Sequence, residues 1–282
     1  MIIDGKLVST KIKEDLKKQI EENKINPKLI VIQVGNNEAS NIYIKQKIKC
    51  AEKIGATCIH EKLDENISTE LLIELIKKLN EDETVNGIIV QLPLPKHIDE
   101  YQVLNTINAN KDVDGLTEIN AGKLTCSKPG LISCTPYGII KLLKYYNIEI
   151  ESKNVVIVGR SNLVGKPLVN LFLMENATVT CCHSKTIDLK KYTQNADILV
   201  VAVGKPKLIT EDMVKENAVV IDVGINRLET GICGDVDFET VSKKASYITP
   251  VPGGVGAMTV AMLYNNLVET SIKTLKKRKD IK

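Results

Sequence analysis

Val155-Val156-Ile157-Val158-Gly159-Arg160-Ser161-Asn162-Leu163-Val164-Gly165-Lys166-Pro167 decides the fold. Its four β-branched apolar residues read as a buried parallel strand, since a strand covered on both faces needs no polar alternation. A glycine-led turn follows, and a helix opens through Leu168, Leu171 and Phe172. Strand, glycine turn and helix in that order aim backbone N–H groups at an anion on the helix N-terminus. The spacing is Gly-Arg-Ser-x-x-x-Gly, so the turn is a variant dinucleotide-binding loop with serine at a usual glycine position. An ordinary strand-turn-helix carries the same signature, and the motif needs support from elsewhere in the chain.

Outward from this stretch, strand-like and helical runs alternate, the pattern of an α/β architecture. Ahead of it, helices are expected over 11–22, 39–54 and 69–79, the last amphipathic through Leu72, Ile73, Leu75, Ile76 and Leu79. Strands are expected over 29–34, 57–59 and 87–92. Residues 105–130, rich in Asn, Asp and Gly, read as a loop, and a helix follows from Thr135-Pro136 to Tyr146. Behind it, strands are expected at 178–182, 198–203, 219–223 and 247–249, with a last helix from about Val255. A polar joint at 147–154 places the expected boundary. One domain then covers 1–146 and a second covers 147–255. The final helix, about 256–282, returns to the first, because chain termini often meet at domain surfaces.

A chain of 282 residues accommodates two ordinary domains, and 43% hydrophobic with 26% charged residues is the balance of a globular protein. Lys+Arg 38 against Asp+Glu 35 leaves +3, too even for a nucleic-acid partner. Positive charge concentrates only in 273–282, read as the solvated end of a terminal helix, where cations are favoured. Asp4 and Lys6 interrupt the first apolar residues, so no signal peptide is expected. No apolar run approaches the ~20 residues of a membrane span. Seven cysteines without framework spacing argue for reduced thiols in a cytosolic compartment. His60, His97 and His183 share no ligand spacing, and no metal site is expected.

In a dinucleotide-binding unit the second strand usually ends on an acid that takes the ribose hydroxyls. Here the run is Cys181-Cys182-His183-Ser184-Lys185, and the first acid beyond it is Asp188. A carboxylate repels a 2′-phosphate, whereas Ser184, Lys185 and the forked guanidinium of Arg160 suit one. The side chains therefore favour NADP over NAD. Gly204 and Gly224 each follow an apolar strand, at the end where open α/β sheets take ligands.

Ser40, Tyr43 and Lys47 fall three and four residues apart, on one face of a helix. A phenol and an ammonium on one substrate can divide the work, one stacking or donating and the other moving a proton. That pair alone is weak, because amphipathic helices match it by chance. Three segments add to it. Val90-Gln91-Leu92-Pro93-Leu94-Pro95 ends an apolar strand on an amide placed to hydrogen-bond a substrate or a lysine. Lys111-Asp112-Val113-Asp114-Gly115 presents carboxylates, which bind paired donors such as those of a pterin-like ring. Thr249-Pro250-Val251-Pro252-Gly253-Gly254-Val255-Gly256-Ala257-Met258-Thr259 is dense in proline and glycine, which lets backbone approach a ligand closely.

Taken together and in this order, five elements are highly specific. They are Val34-Gly35-Asn36 with Ser40-x-x-Tyr43-x-x-x-Lys47, Gln91-Leu92-Pro93-Leu94-Pro95, Lys111-Asp112-Val113-Asp114-Gly115, Gly159-Arg160-Ser161-x-x-Val164-Gly165-x-Pro167 and Pro250-Val251-Pro252-Gly253-Gly254-Val255-Gly256. Across almost its whole length the chain closely resembles the bifunctional methylenetetrahydrofolate dehydrogenase/methenyltetrahydrofolate cyclohydrolase family. Ala257 departs from the proline usual there, which slightly loosens the loop. The resemblance implies an α/β fold of two domains: an N-terminal folate/catalytic domain and a C-terminal Rossmann-type NADP-binding domain, with the active site in the cleft between them. It implies two reactions at one site, oxidation of 5,10-methylenetetrahydrofolate by NADP⁺ and hydrolysis of the methenyl product to 10-formyltetrahydrofolate.

Carried over by position, Lys47 handles protons in the hydrolytic step, Gln91 tunes Lys47, and Tyr43 packs along the folate. Asp114 holds the pterin's amino edge in preference to Asp112. Val90, Leu92, Pro252, Gly253 and Gly254 belong to the folate pocket. Gly159, Arg160, Ser161, Ser184, Ile225 and Thr259 match cofactor positions. The resemblance also implies a cytoplasmic homodimer whose partners are tetrahydrofolate derivatives, with neither nucleic acid nor membrane.

Overall fold

The computed structural model describes residues 1–229 and 231–280; the side chains from 277 onward, and with them the end of the basic tail, lie outside the described residues. In chain order the first elements are α1 (Gly5–Asn23), β1 (Lys28–Val34), α2 (Glu38–Ile54), β2 (Thr57–Leu63), α3 (Thr69–Glu81), β3 (Gly87–Val90), α4 (Glu100–Thr106) and α5 (Glu118–Thr125). Then come α6 (Cys134–Tyr145), β4 (Asn154–Val158), α7 (Gly165–Met174), β5 (Thr178–Cys182), α8 (Leu189–Thr193), β6 (Ile198–Val201) and β7 (Val219–Asp222). The chain closes with β8 (Asn226–Leu228), β9 (Gly231–Cys233), α9 (Phe238–Val241), β10 (Tyr247–Ile248) and α10 (Thr259–Asp280). Two compact units result. One comprises Lys11–Ile132 with Val260–Lys282, the other Met1–Thr10 with Ser133–Thr259.

The first unit is built on a parallel sheet of order β2-β1-β3. Along β1, Ile30, Ile32 and Val34 face one side and pack with Leu72 and Ile76 of α3 and with Ile88 and Val90 of β3. Each such buried side chain contributes about 2 kcal/mol. The opposite face of β1 carries a buried glutamine. The Gln33 amide donates to Asn41 Oδ1 of α2 at 2.9 Å, and its oxygen accepts from His60 Nε2 of β2 at 2.8 Å, so this polar group enters the core fully partnered.

The stretch 105–130, expected as loop, contains α5 and the end of α4. Asp99 caps α4 by accepting from Gln102 N at 3.0 Å, and Thr117 caps α5 by accepting from Asn120 N at 3.3 Å. Asp and Thr ahead of a helical turn are N-cap signals that composition alone hides.

The second unit carries a five-stranded parallel sheet of order β10-β7-β6-β4-β5. Counted from β4, this is the doubly wound order 2-1-3-4-5, which reverses between β4 and β6. The chain's start extends the edge, with Ile2 bridging to Ile248 of β10. Val155–Val158 are all buried, as their unbroken apolar run demands.

The units divide at Ile132–Ser133, ahead of the expected joint at 146–147, because α6 packs on α7. Some elements also differ in length from expectation. The first helix begins at Gly5, and β2 runs on to Leu63. β3 stops at Val90, just ahead of Pro93, which has no N–H to give a sheet. β6 stops at Val201 because Asp235 takes the N–H of Val203. Among the described residues, no helix is long and apolar enough to cross a membrane, and no group of His, Cys, Asp and Glu is arranged to hold a metal ion.

Candidate active site

Lys47 stands on α2, whose first turn is fixed by Asn37 accepting from Ser40 N at 3.0 Å. Ile44, Ala51 and Ile54 are buried along the stripe beside Lys47, which is itself half-buried, while Tyr43 is 43% exposed. The Lys47 Nζ donates to Gln91 Oε1 at 2.9 Å. Gln91 in turn gives its amide N–H to Leu92 O at 2.8 Å, which turns its oxygen toward the lysine. Ser40 Oγ donates to the same Leu92 carbonyl at 3.4 Å. From α10, the buried Tyr264 donates its phenol to Lys47 O at 2.7 Å, and burial pushes that phenol's pKa up, keeping it a donor. Ser40, Lys47, Gln91 and Leu92 thus converge within one unit. Val90, by contrast, spends its side chain in the sheet core.

In the acidic loop the sequence left two carboxylates, and the fold separates them. Asp112 is 1% exposed and accepts from Leu116 N at 3.1 Å, Thr117 N at 2.8 Å and Asn120 Nδ2 at 2.9 Å. Lys111 reaches the end of α3, donating to the carbonyls of Leu79, Asn80 and Asp82 at 3.0, 2.7 and 2.7 Å. Burial lowers its pKa. Asp112 and Val113 are buried, whereas Asp114 is half-buried.

On the five-stranded unit, the turn after β4 demands glycine twice. Gly159 has φ +128°, and a Cβ there would overlap the Ala202 carbonyl; at Gly165 a Cβ would overlap the Gly159 carbonyl. This close approach is what an anion cradle at the start of α7 needs. Around it Arg160 and Ser161 are exposed, and Ser161 Oγ accepts from Val164 N at 3.2 Å. After β5, His183 N donates to Thr186 Oγ1 at 2.8 Å and Lys185 N donates to His183 Nδ1 at 3.2 Å, a tight turn that projects Ser184 and Lys185 outward. Asp188, the first acid beyond, caps α8 by accepting from Lys191 N at 3.4 Å. A cradle with cationic and hydroxyl donors fits an anionic dinucleotide. Ile225 is 49% exposed, and Thr259 Oγ1 lies 3.1 Å from Thr135 Oγ1.

The proline-glycine loop folds back on the chain's start. Gly253 O accepts from Gly5 N at 3.0 Å and Lys6 N at 3.2 Å, and Gly254 N donates to Pro250 O at 2.8 Å. Sequence reading passed over Tyr264, Asp222 and Asp235. The available signals were an acid closing the apolar run Val219-Val220-Ile221 and another set between Gly234 and Val236. A cavity of about 430 Å³ lies elsewhere, at the start of β6 and β7, where Lys215 pairs with Asp197 and Lys153 with Glu149.

A doubly wound sheet with an anion cradle, together with an α/β unit carrying a lysine–glutamine pair, defines a two-domain dinucleotide-dependent enzyme. The family model described as tetrahydrofolate dehydrogenase/cyclohydrolase, catalytic domain, matches residues 3–114, and the one described as its NAD(P)-binding domain matches residues 133–275. The chain belongs to the tetrahydrofolate dehydrogenase/cyclohydrolase family. The bifunctional protein FolD of Agathobacter rectalis is 55% identical over 272 residues, spanning 95% of this chain and 98% of that one. Its counterpart in Campylobacter hominis is 52% identical over 282 residues, 99% of each. The crystal structure of the bifunctional enzyme FolD from Campylobacter jejuni superposes with a TM-score of 0.95 at 51% identity, covering 97% of this chain and 99% of that chain. The Trypanosoma brucei dehydrogenase-cyclohydrolase, crystallised with NADP and an inhibitor, gives 0.91 at 35% identity over 98% of each.

Proposed function

We propose that the protein oxidises 5,10-methylenetetrahydrofolate with NADP⁺ and then hydrolyses the 5,10-methenyl product to 10-formyltetrahydrofolate. The observation that carries this reading is the Lys47 Nζ held 2.9 Å from Gln91 Oε1, with the glutamine locked by Leu92. NADP⁺ supplies the acceptor for the hydride leaving the one-carbon unit. That step needs alignment of two carbons and no protein acid or base. In the second step water adds to the methenyl carbon and loses a proton. The bond from that carbon to N5 then breaks, and the formyl group stays on N10. Lys47 takes and returns the proton, oriented by Gln91; Tyr43 packs along the folate and Asp114 holds the pterin's amino edge.

The burial of Asp112 and its three hydrogen bonds, from Leu116, Thr117 and Asn120, support Asp114 over Asp112 in that last role. Leu92, Pro252, Gly253 and Gly254 are assigned to folate binding in this reading, whereas Val90, buried in the sheet core, leads the strand to Gln91. Arg160, Ser161 and Ser184 bind the phosphates, Gly159 gives them room, and Ile225 and Thr259 adjoin the cofactor. The absence of an acid at the end of β5, with Asp188 turned to α8, supports NADP over NAD. We place the protein in the cytoplasm as a homodimer, on the family resemblance, with neither nucleic acid nor membrane as a partner.

Incubation with methylenetetrahydrofolate and NADP⁺, following NADPH and formyl product together, tests the reading. Both are expected to form. NADPH with methenyl accumulating and no formyl product beyond the uncatalysed rate would reduce the protein to a dehydrogenase.

A further inference from the structure

Asp222 and Asp235 are buried carboxylates, 3% and 0% exposed, and the reactions described above leave both unused. Asp235 closes on the loop after β6: its Oδ2 accepts from Val203 N at 2.7 Å and Gly204 N at 2.9 Å, and its Oδ1 accepts from Lys205 N at 2.8 Å. Three consecutive N–H groups turned onto one carboxylate form a nest. The same Oδ1 takes Asn226 Nδ2 at 2.9 Å, which ties in the segment after β7. Asp222, at the end of β7, accepts from Gly224 N at 3.1 Å, Asp235 N at 2.9 Å and Val236 N at 2.9 Å. Its own N–H donates to Thr249 Oγ1 at 2.7 Å, at the entrance to the proline-glycine loop.

The fit is close enough to dictate sequence. A Cβ at Gly224 would overlap the Asp235 carboxylate, and a Cβ at Gly234 would overlap that of Asp222. Ile225 sits between two anchored neighbours, Gly224 on Asp222 and Asn226 on Asp235, yet its own side chain is half exposed. An apolar side chain held outward at the carboxyl end of a doubly wound sheet is a platform for a flat ring.

We propose that Asp222 and Asp235 form a two-carboxylate clamp that positions the loops after β6 and β7, and Ile225 with them, for the dinucleotide. The clamp residues touch neither cofactor nor substrate; they act through the backbone they hold. This deepens the reading of the protein as an NADP-dependent enzyme and rests on it.

The test uses the full-length protein and Asp235→Asn, which keeps the shape but turns an N–H₂ group toward donors. Asn226→Ala serves as a milder variant should the first fail to fold. Three quantities are measured: NADP⁺ affinity by calorimetry without folate, methenyl hydrolysis without cofactor, and hydrogen exchange of the Val203–Lys205 amides. Asp235→Asn is expected to weaken NADP⁺ binding at least tenfold, about 1.4 kcal/mol, to speed exchange of those amides, and to leave hydrolysis within about twofold of wild type, a few tenths of a kcal/mol. Asn226→Ala is expected to follow the same pattern at about threefold. Unchanged NADP⁺ affinity, or equal loss of affinity and hydrolysis, overturns the clamp's positioning role. Wild type that binds NADP⁺ but turns over no folate defeats the reaction reading and leaves the clamp standing; wild type that binds no NADP⁺ defeats both.

Discussion

At the half-buried face of α2, the Lys47 ammonium makes one side-chain hydrogen bond, to Gln91, while in the other unit the Asp235 carboxylate takes four N–H donors in full burial. Both charges are held by the fold, and they are held for opposite ends. A group that must gain and lose a proton needs spare hydrogen-bonding capacity and access to the reacting atoms. A group that must fix a loop needs every lone pair occupied, since an unmatched buried charge costs several kcal/mol. Asp112, buried and holding three hydrogen-bond donors, belongs with Asp235 by this measure.

The contrast breaks first at Lys47. Lys47→Met is expected to lower methenyl hydrolysis by roughly 10²–10⁴-fold, the range for losing a general acid–base group, with NADP⁺ affinity unchanged. The disappearance of methenyltetrahydrofolate without cofactor measures it, and hydrolysis within a few-fold of wild type would remove the proton-transfer role.

A second prediction sharpens the buried side of the comparison. Burial raises the Asp222 pKa from 3.8 to about 6, outweighing the N–H donors that favour its charged form. Between those two values the folded protein keeps a proton that the unfolded chain has released. The resulting stabilisation is complete below pH 3.8 and is lost as the pH rises through about 6. Asp222→Asn lacks this titration. Stability of wild type relative to the variant should therefore fall by up to roughly 3 kcal/mol between about pH 4 and 7. Urea unfolding across that range reads it, and a flat difference would show that Asp222 is not shifted.

The smallest effect expected is at the exposed turn after β5. Ser184→Asp brings a carboxylate to the 2′-phosphate position and should move the NADP⁺/NAD⁺ preference toward NAD⁺ by about tenfold, about 1.4 kcal/mol. The ratio of kcat/KM values for the two cofactors measures it, and an unaltered ratio would place the 2′-phosphate elsewhere.

Much of the fold was legible because the signals are local. An unbroken run of four β-branched residues bounded by a glycine turn favours a strand covered on both sides, and the glycines behind it mark a close backbone approach. Tyr43 and Lys47 share a face by helical period alone. The helix α5 was missed because the Asn, Asp and Gly around it dominate the composition, although Thr117 carries the cap. The domain joint was misplaced because polarity at 147–154 marks a turn within the five-stranded unit, while the division depends on which helix α6 packs against.

From the chain alone came the strand-turn-helix, the α/β alternation, the missing acid after the second strand and the order of motifs that marks the family, all set by periodicity and by the stereochemistry of neighbouring residues. Only the tertiary structure decided that Lys47 meets Gln91 across 44 positions, that Asp112 is consumed by its own loop, and that Asp222 and Asp235 hold two loops together. The physical reason is that a hydrogen bond is settled by the groups brought within 3 Å of each other on folding, and no local pattern records those meetings.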